Sequence, residues 1–323
     1  MQLTPTKRLA LYTGRAHPLL AAEIAEHLGV ELGEANLKDY PNGEIHCRYD
    51  ESIRGSDVFV IQTHAPPVND SIMEQLIMID AAKRASAKRI TAVCPRYGYA
   101  RQDRKVEGRE PITAKLLADL FQAAGADRII SVDLHSGQIQ GFFDGPVDHL
   151  RGWPLLEGYL SDCCDTDNLT VVSPDTGGLK DAERFARHVQ ADIASIFKKR
   201  AHGDVEALGL MGEEVVRGRH CVLFDDEIDT AGTVCAAADI LLSHGATEVW
   251  AAATHGVLSD PAVDRLKNSS ISRVVITNTL PLPPEKQIDK IEVLSVAKII
   301  ATGLEAVFED TSVSEIFGGE NQS

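Results

Sequence analysis

An apolar run at 221–224 ends in two adjacent carboxylates, Asp225 and Asp226. A turn of small residues, Asp229-Thr230-Ala231-Gly232, then opens a helical pattern at Thr233. Backbone amides of Thr230, Ala231, Gly232 and Thr233 at a helix N-terminus form an anion site, and small side chains let a phosphate approach the chain. Two neighbouring carboxylates at a strand end can accept hydrogen bonds from two vicinal hydroxyls, as on a ribose. The position lies outside the carboxyl ends of strands, where open α/β sheets bind ligands. An acidic surface loop with a helix cap would account for Thr233 but not for the carboxylate pair beside the turn.

Other segments offer chemistry with less specificity. Residues 101–110 hold four basic and three acidic side chains and one apolar one, Val106. Such a segment cannot pack, so it is expected to be mobile, and between a strand and a helix it suits a lid over a polyphosphate. His135 and Asp175 each follow an expected strand, where a structural histidine or a loop-capping aspartate would serve equally well. Lys198-Lys199-Arg200 follows the run 193–197 and, in isolation, reads as a solvated basic cluster. Asn42-Gly43 alone is a turn signal.

Elements able to position these groups are legible in the order of segments. Apolar runs at 58–62, 89–94, 128–133, 169–173, 193–197, 221–224, 248–253 and 273–277 read as strands buried on both faces. Helical patterns lie between several of them, at 71–87, 112–125, 179–189 and 233–245, with Gly125 and Gly245 where C-terminal glycines belong. The alternation predicts a mostly parallel α/β sheet. Arg54-Gly55 before one strand–helix pair and Arg217-Gly218 before another form an internal echo, which suggests two copies of one fold meeting near 148–154.

Length and composition set the frame. A chain of 323 residues is past the size of one hydrophobic core, so two domains are expected. With 32 basic and 48 acidic residues the net charge is −16, which argues against a general affinity for nucleic acid or anionic membranes. No stretch approaches the ~20 apolar residues of a membrane span, and the N-terminus lacks the layout of a signal peptide. Six scattered cysteines without a CxxC pair read as free thiols of a cytosolic, reduced protein. Neither GxxxxGK[ST] nor GxGxxG occurs, which excludes the common nucleotide loops.

The segment Asp225-Asp226-Glu227-Ile228-Asp229-Thr230-Ala231-Gly232-Thr233 resembles the phosphoribosyl diphosphate (PRPP) loop of type I phosphoribosyltransferases and of ribose-phosphate diphosphokinases. Four further segments resemble the diphosphokinases in particular. These are Tyr40-Pro41-Asn42-Gly43-Glu44, Tyr97-Gly98-Tyr99-Ala100-Arg101-Gln102-Asp103-Arg104, and Val132-Asp133-Leu134-His135 running on to Phe143. The fourth is Ser173-Pro174-Asp175-Thr176-Gly177-Gly178 with Lys198-Lys199-Arg200. The resemblance implies two similar phosphoribosyltransferase-type domains, each a mostly parallel sheet flanked by helices, at 1–149 and 150–303. A C-terminal helix at 296–308, with the chain from about 304 to 323, would pack back on the first domain, and a disordered tail is expected at 320–323.

The implied reaction moves the diphosphoryl group of ATP to O1 of ribose 5-phosphate, with Mg2+ as cofactor. The implied roles are Lys198 and Arg200 in catalysis; Tyr40, Asn42, Gly43, Glu44, Arg101, Gln102 and Arg104 at ATP; and His135 and Asp175 at the metal. Arg200, Asp225, Asp226, Asp229, Thr230, Ala231, Gly232 and Thr233 would hold ribose 5-phosphate. The hairpin at 40–44 would reach the adenine bound by a neighbouring subunit, so a homohexamer is expected. Three positions depart from the family pattern: Phe197, Arg96 and the turn His64-Ala65-Pro66-Pro67. They bear on tuning rather than on a group the reaction needs. The alternatives are a non-catalytic regulatory homologue and a phosphoribosyltransferase that consumes PRPP.

Overall fold

The computed structural model describes residues 7–200 and 206–319, and for 198–200 and 206–208 the backbone alone. Two compact units divide the chain. The first runs to Arg151 and includes Thr279–Pro281 and the chain from Ser295; the second comprises Gly152–Asn278 and Leu282–Leu294.

In the first unit, β1 (Leu9–Thr13), β4 (Asp57–Ile61), β5 (Arg89–Cys94), β6 (Arg128–Val132) and β7 (Val147–Leu150) form a parallel sheet in the order β1-β4-β5-β6-β7. Parallel neighbours need long crossovers, which the chain makes through α1 (Pro18–Leu28), α2 (Val68–Arg84) and α3 (Thr113–Ala124). α1 starts with Pro18 at its first position and stops at Gly29, whose φ of 66° glycine adopts without cost. Every residue of β4 is buried, so both sheet faces are covered. A separate antiparallel hairpin joins β2 (Ala35–Asp39) to β3 (Ile45–Tyr49). The last helix, α8 (Ala297–Glu309), packs beside α1, and Asp310 at its end pairs with Lys7 and Arg89 at 2.5 Å each.

The second unit carries β8 (Leu169–Ser173), β9 (Asp192–Arg200), β10 (Glu206–Met211), β11 (His220–Ile228), β12 (Glu248–Gly256), β13 (Arg273–Thr277) and β14 (Ile291–Leu294). Their order is β10-β9-β8-β11-β12-β13-β14, all parallel except the pair β9–β10. Its helices are α4 (Trp153–Cys163), α5 (Leu179–His188), α6 (Gly232–Ser243) and α7 (Ala262–Asn268). Alternate residues of β11 enter opposite cores: Leu223 joins Ala237 and Leu241, while Val222 and Phe224 join Leu160 and Phe185. Both units are therefore α/β layers with parallel sheets flanked by helices. Among the described residues no helix is long and apolar enough to cross a membrane.

Several boundaries differ from expectation. α2 lies three residues earlier than expected and β12 runs three residues longer. Three further differences concern the basic cluster, the carboxylate pair and the C-terminus. The Lys198-Lys199-Arg200 cluster does not follow a strand; it lies inside β9, which runs on to Arg200 because β10 pairs with it beyond the point where β8 ends. β11 likewise continues to Ile228 along β12, so Asp225 and Asp226 sit within the strand rather than after it. The C-terminal helix spans Ala297–Glu309, and the residues after it, as far as 319, form only a short 3-10 turn at Ser314–Phe317.

Phe185 is 1% exposed and stacks on Phe224 at 4.1 Å between centroids. Phe185→Ala should lower unfolding stability by about 3–5 kcal/mol, read from the denaturant midpoint, through lost burial and the cavity left behind.

Candidate active site

In the second unit the carboxylate pair lies near the end of β11, and the small-residue turn forms the connection from there to α6. Ala231 is the N-cap of α6, held at φ 58°, and no side chain caps the helix. By helix geometry the first amides of α6 have no intrahelical acceptor, and the helix dipole adds partial positive charge there. Arg265 of α7 braces this turn: its Nη1 donates to the Thr230 carbonyl at 2.9 Å. A Cβ on Gly232 would stand 3.3 Å from the same Nη1, so glycine leaves room for the guanidinium beside the helix start. The arrangement can hold a dianionic phosphate between backbone amides and a cation. Thr230 and Thr233 are exposed, Asp229 partly so.

Asp225 and Asp226 are both partly buried, and the Asp226 amide donates to Asp225 Oδ1 at 2.9 Å. Burial, and next the neighbouring Asp226 charge, push the Asp225 carboxyl up to about 8. The two titrate together as a pair. Asp175 follows β8 and is exposed; its Oδ1 accepts the amides of Gly177 at 2.7 Å and Gly178 at 3.0 Å. It thus shapes its own turn, as a loop-capping aspartate does. A Cβ on Gly178 would be 3.9 Å from Asp225 Oδ1 and 4.0 Å from Asp175 Oδ1, so the two carboxylates flank one point of the backbone. The backbone of Lys198 and Arg200 is paired with Leu208 and Glu206, and their side chains lie outside the described residues.

In the first unit the segment after β5 is anchored at its start and exposed beyond it. Tyr97 is buried and its hydroxyl donates to the Ala114 carbonyl at 3.0 Å; the Tyr99 hydroxyl reaches Asn69 Oδ1 at 2.5 Å. The Gln102 amide closes a turn on the Tyr99 carbonyl at 2.8 Å, and its carbonyl accepts the amide of Ala114 at the start of α3. Gln138 fastens buried Asp103 at 2.6 Å. Arg101, Gln102 and Arg104 are exposed, as is 105–111. His135, two residues past the turn at Asp133, is exposed too, while Asp133 is buried and faces Arg151 at 3.5 Å. Leu134 donates its amide to His149 Nε2 at 2.8 Å, which ties this strand end to β7.

Residues 40–44 form the exposed tip of the β2–β3 hairpin. Gly43 has φ 86°, the Tyr40 amide donates to the Glu44 carbonyl, and Asn42 Oδ1 accepts the Glu44 amide. Arg15 holds the hairpin base, bonding Asp39 at 2.7 Å and buried Glu74 at 2.5 Å. Reading by segment missed four anchors, namely Arg15, His64, Gln75 and Arg265, because each acts through a tertiary contact. Only His64 left a trace, as a departure from pattern. Among the described residues no group of three or more His, Cys, Asp or Glu is placed to enclose a metal ion.

A carboxyl with a raised folded-state pKa favours folding while protonated, so its stabilisation is present below about 4 and lost as pH rises toward 8. Asp225→Asn should therefore raise the melting temperature of the ligand-free protein at pH 8, by about 1–3 kcal/mol of stability. The two proteins should converge at pH 4 in the same thermal scans.

The family model for the N-terminal domain of ribose phosphate pyrophosphokinase matches residues 9–125, and that for the phosphoribosyl synthetase-associated domain matches 204–318. Ribose-phosphate pyrophosphokinase of Streptomyces avermitilis is 54% identical over 320 residues, 98% of either chain. The enzyme of that name from Clostridium acetobutylicum is 52% identical over 316 residues, 97% of this chain and 98% of its own. The crystal structure of phosphoribosylpyrophosphate synthetase from Mycobacterium smegmatis matches with a TM-score of 0.90 and 51% identity, over 94% of this chain and 100% of that one. Identity of this order along the whole length shows that the chain belongs to the ribose-phosphate pyrophosphokinase (phosphoribosylpyrophosphate synthetase) family.

Proposed function

We propose that the chain transfers the β,γ-diphosphoryl group of ATP to O1 of ribose 5-phosphate, yielding PRPP and AMP. The observation that carries this reading is the carboxylate pair Asp225–Asp226 placed on the strand that leads into the uncapped start of α6. The amides of Thr230, Ala231, Gly232 and Thr233, with Arg265 beside them, hold the 5-phosphate, and Asp229 shapes the turn. Asp225 and Asp226 accept the ribose hydroxyls. Their crowded charge favours a ligand that brings two donors or a cation. A phosphoribosyltransferase would need this loop but gives no purpose to the anchored segment at 97–104.

The reaction forms a bond from O1 to the β-phosphorus and breaks the bond from that phosphorus to the oxygen of the AMP leaving group. Alignment and neutralisation of charge do most of the work in such transfers. Arg101, Gln102 and Arg104 hold the polyphosphate, and Lys198 and Arg200 neutralise the transferring group, an assignment that rests on the sequence resemblance. Mg2+ fits the carboxylates of the second unit: exposed Asp175 and the crowded Asp225–Asp226 pair offer the oxygen donors of a hard ion that keeps most of its waters, while His135 is included on the sequence resemblance alone. Asp175 and His135 would orient it directly or through water, and the ion would offset phosphate charge.

Tyr40, Asn42, Gly43 and Glu44 reach the adenine bound by a neighbouring subunit, and the protein works in the cytoplasm as a homohexamer. Two features support association: the exposed hairpin tip, and the exposed apolar side chains of Leu116 and Leu120 on α3 and of Ile112 at its N-cap, spaced every four residues.

With γ-labelled ATP, ribose 5-phosphate and Mg2+, label should pass to PRPP and AMP should form in equal amount. Lys198→Ala should cut kcat roughly 10²–10³-fold. Formation of ADP, or turnover independent of ribose 5-phosphate, would sink the reading.

A further inference from the structure

We propose that His64 is a positioning residue for the nucleotide: its imidazole fixes the backbone of Gly98 and thereby the turn that presents Arg101 and Gln102. The inference rests on the nucleotide role proposed for residues 97–104.

His64 is 0% exposed, and its Nδ1 accepts the Gly98 amide at 2.7 Å. On the other side of the ring, Nε2 lies 2.9 Å from Gln75 Oε1. Gln75, also 0% exposed, donates its amide nitrogen to the carbonyls of Val60 at 3.0 Å and Val93 at 3.2 Å. Those two carbonyls belong to β4 and β5, so the sheet dictates which way the Gln75 amide faces. Its oxygen must then point at the imidazole, Nε2 must carry the proton, and Nδ1 must be the acceptor. Burial lowers the His64 pKa to about 4, which keeps the ring neutral at neutral pH and Nδ1 free to accept the Gly98 amide.

Packing and main chain hold the same geometry. The ring stacks on Phe121 at 5.9 Å and meets Tyr97 at 6.0 Å. The His64 amide donates to the Arg96 carbonyl at 3.2 Å, and Arg96 Nη1 donates to the His64 carbonyl at 3.2 Å. A Cβ on Gly98 would lie 3.1 Å from both Cβ and Nδ1 of His64, so any other residue there would require the histidine to give by a few tenths of an ångström. The turn that follows, through Tyr99 at φ 60° and closed by the Gln102 amide, places exposed Arg101 relative to Gly98.

Two substitutions separate positioning from filling of space. His64→Asn puts an amide oxygen where Nδ1 was and keeps an acceptor for Gly98. His64→Gln puts its amide near Nε2 and leaves Gly98 without one. Both lose the ring and should lose similar thermal stability. His64→Gln should raise KM for MgATP, and the dissociation constant of the uncleavable α,β-methylene ATP, about five- to tenfold, as expected for one lost hydrogen bond. KM for ribose 5-phosphate and kcat at saturation should stay within about twofold, and amide exchange at 98–102 should quicken. His64→Asn should keep nucleotide affinity and exchange close to the parent.

Equal behaviour of the two variants, or unchanged nucleotide affinity in His64→Gln, would overturn the proposal. If His64→Gln does not fold, Gln75→Met, which removes the bond that sets the tautomer, should raise the nucleotide KM in the same way, and an unchanged KM would count against it. A parent protein that never binds ATP, yet shows exchange quickened only by His64→Gln, would overturn the nucleotide role of the segment while leaving the hold on Gly98 in place.

Discussion

Parallel strands buried on both faces leave the interior of the sheet closed to polar chemistry, and the arrangement of the molecule follows from that constraint. Val222, Leu223 and Phe224 alternate between two cores, and β4 is buried throughout. Charged side chains must gather where the strands stop. The 97–104 segment follows β5, His135 follows β6, Asp175 follows β8, and the carboxylate pair lies at the end of β11. The chemistry thus collects at one kind of place, the carboxyl end of a strand, in each of two units.

Electrostatics at these ends runs against the protein's overall sign. A chain of net charge −16 gathers positive potential locally: amides without an intrahelical acceptor at the start of α6, and one guanidinium braced against the Thr230 carbonyl. Beside it burial, and next the Asp226 charge, raise the Asp225 carboxyl, so ionising both members of the pair is unfavourable. Two carboxylates held this close are a poor choice for stability alone. Hydroxyl donors or a dication would relieve that cost.

Much of this was legible in the residues. β5, β8 and β13 stand at their expected bounds because each is a short apolar run between turn residues. β1 and β7, at the edges of the first sheet, are four or five residues long, and α1 lies in the same short-patterned stretch, so their periodicity carries little signal. The hairpin β2–β3 alternates weakly and is only partly buried, which hides it. β9 outran its apolar part because strand length there depends on a partner, β10, and not on hydrophobicity. In the site, the residues of the β11–α6 loop could be read locally because a phosphate loop is made of consecutive residues. Arg265, Gln75 and Arg15 could not, since each matters only through what the fold brings to it.

The same division bears on how the loops keep their shape. Tyr99, Asp133 and Ala231 all have positive φ, a backbone state that costs a residue with a side chain of order 1–2 kcal/mol and persists only under outside restraint. Each lies in a connection that leaves a strand end, and each has a bracket: the Tyr99 hydroxyl on Asn69, the Asp133 amide on the Leu150 carbonyl, and Arg265 on the residue before Ala231. A transfer that depends on alignment needs its donors set before the substrates arrive, since reorganising them during the reaction would add to the barrier. Strained turns held by groups from other elements meet that need, and those groups lie outside the motif, which is why a motif alone does not make the site.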